Sequence, residues 1–253
     1  MGRFVAAVLG ASGQVGECVV RSLIAEPRCT TIVLFNRRQL DKYNGVPRIV
    51  QHIIEMDDVA TAAVPLLQEA KVRACFVVMG VGKPSKVSRE ELERVDLEIP
   101  TAFAKACKSA GCVQHISLLG SVGANANAKP SRLMGTAAGG GLYLSIKGRG
   151  EFFLCVENNF ADIGLESAAF FRPATLVGNA NTPSIAAKLS NMVSWALPPK
   201  FKAIHIDDVG AAMVKVAARA LDDKGPAVAR YEGASLFGLL EPYPNDTTES
   251  AGT

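Results

Sequence analysis

The chain has 253 residues, of which 49% are hydrophobic and 20% charged, enough to bury the core of one large α/β domain. Aromatics are scarce at 6%, so the apolar content is mostly Ala, Val, Leu and Ile, as a parallel sheet covered on both faces requires. A net charge of +3 with scattered basic residues excludes a nucleic-acid footprint.

The first predicted strand, 3–9, is a continuous apolar run starting beside Met1, so no signal peptide is expected. It leads into Gly10-Ala11-Ser12-Gly13-Gln14-Val15-Gly16 and then a helix over 14–25. A strand, a glycine turn and a helix in that order are the context in which this spacing points to a dinucleotide. Gly10 lets the chain turn, Gly13 lets backbone approach a pyrophosphate, and Gly16 lets the helix pack on the strand. Ser12, Gln14 and Val15 complete the turn whose N–H groups face the phosphates.

The second strand, 31–36, ends in Asn36-Arg37-Arg38. An NAD site would place a carboxylate there for the ribose 2′-OH; an amide followed by two guanidinium groups suits the 2′-phosphate of NADP. The competing reading is a pair of solvated surface arginines. The third strand, 48–54, ends at Glu55 and Met56, which would border the adenine, and a helix follows over 59–70. The fourth strand, 73–79, runs into Met79-Gly80-Val81, where glycine permits close approach of ribose and phosphate, or serves as an ordinary βα turn. A single helix is expected over 88–110, with Asp96 structural.

The fifth strand, 112–119, contains His115, a core histidine by context, and Ser117, deep in the strand, and closes at Ser121. Residues 123–141 form a long segment of small residues, the kind of loop that is functional or disordered. The helix expected over 142–159 carries Tyr143 and Lys147, four apart and hence on one face, where the ammonium lowers the phenol's pKa. Tyr143 would act as acid or base, Lys147 would also bond the nicotinamide ribose, and Ser121 would polarise a substrate carbonyl. The competing reading is a helix-face tyrosine beside a solvated lysine. A strand over 165–171, a helix over 184–196 with Trp195 as packing, and a strand over 202–206 follow. Asp207 and Asp208 then read as the N-cap and first-turn charge of a helix over 207–221, before a last strand at 228–232. The tail 241–253 is expected to be disordered, which leaves 1–240 as one domain. Strand–helix alternation throughout predicts a doubly wound parallel sheet with its ligand at the carboxyl ends of the strands.

The six cysteines (Cys18, Cys29, Cys75, Cys107, Cys112 and Cys155) show no metal-ligand spacing and read as reduced, buried thiols, which places the chain in the cytoplasm. No apolar run reaches the ~18 residues of a membrane span.

With these residues assembled, the chain resembles the atypical branch of the short-chain dehydrogenase/reductase superfamily. Within it the resemblance is to the Tat-interactive-protein-2-like oxidoreductases and the NmrA-like NAD(P)-binding proteins. It rests on the glycine turn, Arg37-Arg38, Arg94-Val95-Asp96, Leu118-Leu119-Gly120-Ser121, Leu142 to Gly148 and Phe171-Arg172-Pro173. The resemblance implies a Rossmann fold binding NADPH, with Ser121, Tyr143 and Lys147 catalytic. It also implies that backbone at Pro173, Ala174 and Thr175 faces the nicotinamide carboxamide. The expected activity is NADPH-dependent reduction of a small carbonyl compound. The alternative is an NADPH-binding regulator acting through a protein partner, and a homodimer is the arrangement common in the superfamily.

Overall fold

The computed structural model describes residues 2–81, 87–121, 157–160, 162–178, 202–222 and 226–240. Seven strands form one parallel sheet: β1 (Phe4–Leu9), β2 (Cys29–Asn36), β3 (Ile49–Ile53), β4 (Val72–Val77), β5 (His115–Leu119), β6 (Ser167–Arg172) and, last in the chain, β9 (Val228–Glu232). Their order is β3-β2-β1-β4-β5-β6-β9. After β3 the chain crosses back to the other side of β1, so the loops leaving β1 and β4 diverge and open a crevice at the carboxyl edge.

Apolar alternation along β1 feeds two cores. Phe4, Ala6 and Val8 face a cluster with α1 (Gln14–Ala25) and α5 (Ile206–Ala220), while Ala7 and Leu9 face one with α2 (Val59–Glu69) and α4 (Ile99–Ala110). Helices α1 and α5 touch at Gly210, where an added Cβ would lie 2.8 Å from Cys18. The doubly wound sheet expected from the alternation of elements is therefore the fold.

Three expectations need correction. The segment 202–206 does not join the main sheet: β8 (Ala203–His205) pairs in parallel with the unforeseen β7 (Thr175–Val177) as a separate two-stranded sheet. Three-residue strands lack the alternation that would announce them. The single helix expected over 88–110 is α3 (Arg89–Glu93), a π turn (Arg94–Glu98) and α4 in succession. Pro100 has no N–H to give Asp96, and the run widens there, with Ile99 N–H reaching back to the Arg94 carbonyl. The cap of α5 also differs. His205, not Asp207, occupies the N-cap, its Nδ1 accepting from the Asp207 N–H at 3.3 Å. The segments 123–141, 142–156, 184–196 and 241–253 lie outside the described residues.

The described cysteines carry free thiols, buried except for the half-buried Cys112, and burial raises the pKa of the Cys29 thiol to about 11. Among the described residues no helix is long and apolar enough to cross a membrane.

His115 is sealed in the core at 1% exposure, its ring nitrogens 2.9 Å from the hydroxyls of Ser117 and Ser167. The hydroxyls can serve either tautomer, and it is burial, which disfavours the charged ring, that lowers its pKa from 6.5 to about 3. The unfolded chain takes up a proton below about pH 6.5 that the folded chain refuses. Stability is therefore lost as pH falls from 6.5 toward 3 and is unaffected by this group above that range. Denaturant unfolding should show a loss of about 2 kcal/mol from His115 between pH 7 and 5. A His115→Asn variant should have a flatter profile; an unchanged slope would assign the effect to other groups.

Candidate functional site

The crevice between the β1 and β4 loops is a pocket of about 580 Å³. Its floor is the glycine turn. Gly10 has φ +103°, and a Cβ there would lie 2.5 Å from the Met79 nitrogen. Gly13 donates to the Gly10 carbonyl at 3.1 Å and stands at the N-cap of α1, where no side chain caps the helix. The start of α1 thus meets the pocket through Gly13. Gly16 is pressed under the turn: a Cβ would sit 2.2 Å from the Gly10 oxygen. Gly10, Ser12 and Gly13 line the pocket, whereas Val15 is buried in the core and Gln14 and Gly16 lie outside the lining.

The second wall follows β2. Asn36 is 5% exposed and its amide donates to Gln51 Oε1 at 3.1 Å. Gln51 also accepts from the Leu40 N–H at 3.0 Å and donates to the Leu40 carbonyl at 3.1 Å, so it braces the short segment between. That segment carries Arg37 and Arg38, both exposed and both lining the pocket. Neither takes a hydrogen bond or ion pair among the described residues. Met56 lines the pocket from beyond β3; its neighbour Glu55 is exposed and stands outside the lining.

The third wall is the exit of β4, where Val78, Met79, Gly80 and Val81 line the pocket. It is pinned by Asp96, a carboxylate 2% exposed in the π turn, whose Oδ1 accepts from the Val81 N–H at 2.9 Å. Arg94, in the same turn, reaches across to Asp57 with two parallel bonds of 2.8 Å each. This pairing holds the Asp57 carboxyl below its usual range and the Arg94 guanidinium above its own.

The remaining expected residues sit farther along the same edge of the sheet. Ser121 follows β5 and is half-buried; Pro173 is buried after β6, with Ala174 half-buried and Thr175 exposed. None of these lines the pocket at the glycine turn. Tyr143 and Lys147 lie outside the described residues. The structure brings Gly10, Ser12, Gly13, Asn36, Arg37, Arg38, Met56, Met79, Gly80 and Val81 together around one pocket, with Ser121 outside its lining.

Several supporting residues carried no signal in the sequence. Gln51 and Asp57 act across gaps in the chain that periodicity does not register, the first on Asn36 and Leu40 and the second on Arg94. Glu157, fully buried, receives Arg172 through bonds of 2.7 and 2.5 Å and Arg230 at 3.2 Å. This cluster closes the carboxyl end of β6 against β9.

No family model matches the chain. The fmp52 protein of Emericella nidulans is 23% identical over 228 residues, covering 87% of this chain and 90% of that protein. The HTATIP2 protein of Rattus norvegicus is 28% identical over 174 residues, spanning 67% of this chain and 62% of that protein. Among solved structures, a UDP-glucose 4-epimerase of Stenotrophomonas maltophila with bound NAD has a TM-score of 0.65 at 17% identity, over 93% of this chain and 80% of the epimerase. The FMP52 relatives are named as mitochondrial, which overturns the cytoplasmic location expected from reduced cysteines. Reduced thiols indicate a reducing surrounding and do not separate one such compartment from another. In fold the chain is a doubly wound parallel α/β domain of the Rossmann kind, like that of the NAD-bound epimerase, and in sequence it is similar to the HTATIP2 and FMP52 proteins.

Proposed function

We propose that the pocket holds NADPH and that the chain is an NADPH-dependent reductase of a small carbonyl compound, in a mitochondrial setting like that of its FMP52 relatives. The observation that carries this reading is the meeting, in one pocket, of a helix start behind a glycine turn and two guanidinium groups that take no hydrogen bond or ion pair among the described residues. The N–H groups at the start of α1 suit a pyrophosphate, and the bare Cα atoms of Gly10 and Gly13 leave room for it. Arg37 and Arg38 suit a 2′-phosphate, with Asn36 where a carboxylate would repel it. Glu55 and Met56 would stand at the base, Met79 to Val81 at the ribose and phosphates, and Pro173 to Thr175 at the carboxamide.

A reduced nicotinamide dinucleotide supplies hydride when bound. The proton comes from the chain: Tyr143 gives its phenolic proton to the carbonyl oxygen, and Lys147 makes that phenol more acidic. Ser121 donates a hydrogen bond to the same oxygen and orients the substrate.

Calorimetric titration tests the reading. NADPH should bind at least about ten-fold more tightly than NADH, and changing both Arg37 and Arg38 to Ala should bring the two nucleotides within about two-fold. Tyr143→Phe should retain NADPH binding and lower turnover by at least about 100-fold. If neither nucleotide binds the unaltered chain, the reading fails; if Tyr143→Phe turns over normally, Tyr143 is not the acid.

A further inference from the structure

Three arginines line the pocket, and they differ in which part of the guanidinium remains free. A guanidinium donates hydrogen bonds only in its own plane, whereas its faces are apolar and stack on planar rings. Arg37 and Arg38 have their edges unengaged among the described residues, the condition in which an arginine meets a phosphate. Arg94 is in the opposite condition. Its Nε donates to Asp57 Oδ1 at 2.8 Å, its Nη2 to Asp57 Oδ2 at 2.8 Å, and its Nη1 to Glu91 Oε2 at 3.4 Å. All three nitrogens are turned to carboxylates. A phosphate arriving there would have to displace a carboxylate and would meet two negative groups.

The position of the pair matters as much as its chemistry. Arg94 belongs to the segment after β4 and Asp57 to the segment after β3, and β1 and β2 lie between those strands in the sheet. The ion pair therefore spans the carboxyl ends of β1 and β2, beside buried Met56, which lines the same pocket.

We propose that Arg94 is the base-holding residue of the site: its guanidinium face, held edge-on by Asp57 and Glu91, stacks on the adenine ring, with Met56 as the facing apolar wall. The inference rests on the dinucleotide reading and adds a division of labour to it. Arginines with free edges read the 2′-phosphate, and the arginine with occupied edges reads the ring. Such a contact accepts any purine face and does not discriminate NADPH from NADH.

Fluorescence titrations of the whole chain with NADPH, NADH and adenosine 2′,5′-bisphosphate test this. Arg94→Ala should weaken all three by about ten-fold, the scale of a desolvated cation–π contact, and leave the ratio of NADPH to NADH affinity unchanged. Arg94→Lys should weaken them equally, because an ammonium can still pair with Asp57 but has no face. Asp57→Ala, at a side chain 68% exposed, should give the same pattern at several-fold, with the melting temperature unchanged. Full affinity in Arg94→Lys would show that the ion pair, not the ring contact, is what matters, and would overturn the proposal. A collapsed NADPH-to-NADH ratio in Arg94→Ala would make Arg94 a phosphate ligand and overturn it equally. If the unaltered chain binds no dinucleotide, the parent reading falls as well; if it binds and the variants bind alike, only the role of Arg94 falls.

Discussion

Gly10→Ala is expected to lower stability by about 3–5 kcal/mol and to abolish nucleotide binding. Two effects add. The backbone there has φ +103°, a conformation that costs an L-residue about 1–3 kcal/mol. The new methyl group would then lie 2.5 Å from the Met79 nitrogen and 2.8 Å from its Cα, which are backbone atoms with no rotamer to escape into. They could yield only if β4 drew away from β1, against the bond from Val78 N–H to the Leu9 carbonyl at 3.0 Å. Overpacking of this kind costs about 1–3 kcal/mol more. Gly13→Ala is the control. Its φ of −81° suits alanine, and the nearest atom to the new Cβ is the Gly10 oxygen at 3.4 Å. That variant should stay within about 1 kcal/mol of the parent in denaturant unfolding and still bind the dinucleotide less tightly, because its methyl group occupies the pocket floor. Equal stability of the two variants would show that the β1–β4 approach is softer than its distances imply.

Glu157→Ala should be comparably severe, at about 3–5 kcal/mol, by a different mechanism. Its carboxylate is wholly buried and answers two cations, Arg172, whose side chain is 13% exposed, and Arg230, at 45%. Removing it leaves Arg172 charged and almost enclosed, with Glu232 at 3.5 Å as its remaining carboxylate among the described residues. Arg230→Ala should cost much less, since Glu157 keeps both bonds from Arg172 and the guanidinium lost is 45% exposed. A melting-temperature series of Glu157→Ala, Glu157→Gln and Arg230→Ala checks the order. A Glu157→Gln variant as stable as the parent would show that the amide shape suffices and that charge does not matter there.

What could be read from the sequence was whatever is local. The apolar run at Phe4–Leu9, the glycine spacing after it and the arginines after β2 all act within a few residues, and the doubly wound sheet follows from elements of that kind. The π turn was foreshadowed by Pro100, but an amphipathic pattern continues smoothly through it, so periodicity alone gave a straight helix. The ion pair of Asp57 with Arg94 and the burial of Glu157 leave no local trace, because each partner taken alone looks like a solvated surface charge. Their roles arise only when strand order brings together segments distant in the chain. Gln51 is the same case on a smaller scale: a polar residue on an edge strand that proves to brace the arginine segment.

The strand order also has a kinetic meaning. From β4 onward, each strand of the main sheet is added beside its predecessor in chain order, at the same advancing edge: β4, β5, β6, β9. A chain emerging N-terminus first can complete β1, β2 and β3 with α1 before any later strand exists, and thereafter needs only to dock each new strand on an edge already built. Parallel pairings are slow because their loops are long, and an edge that waits exposed invites association with other chains. Growth from one side confines the changing edge to one end of the sheet, while β3 stands at the other. The last docking, β9 on β6, is also the one clamped by Arg172, Glu157 and Glu232, so the ion cluster acts as the latch that ends assembly.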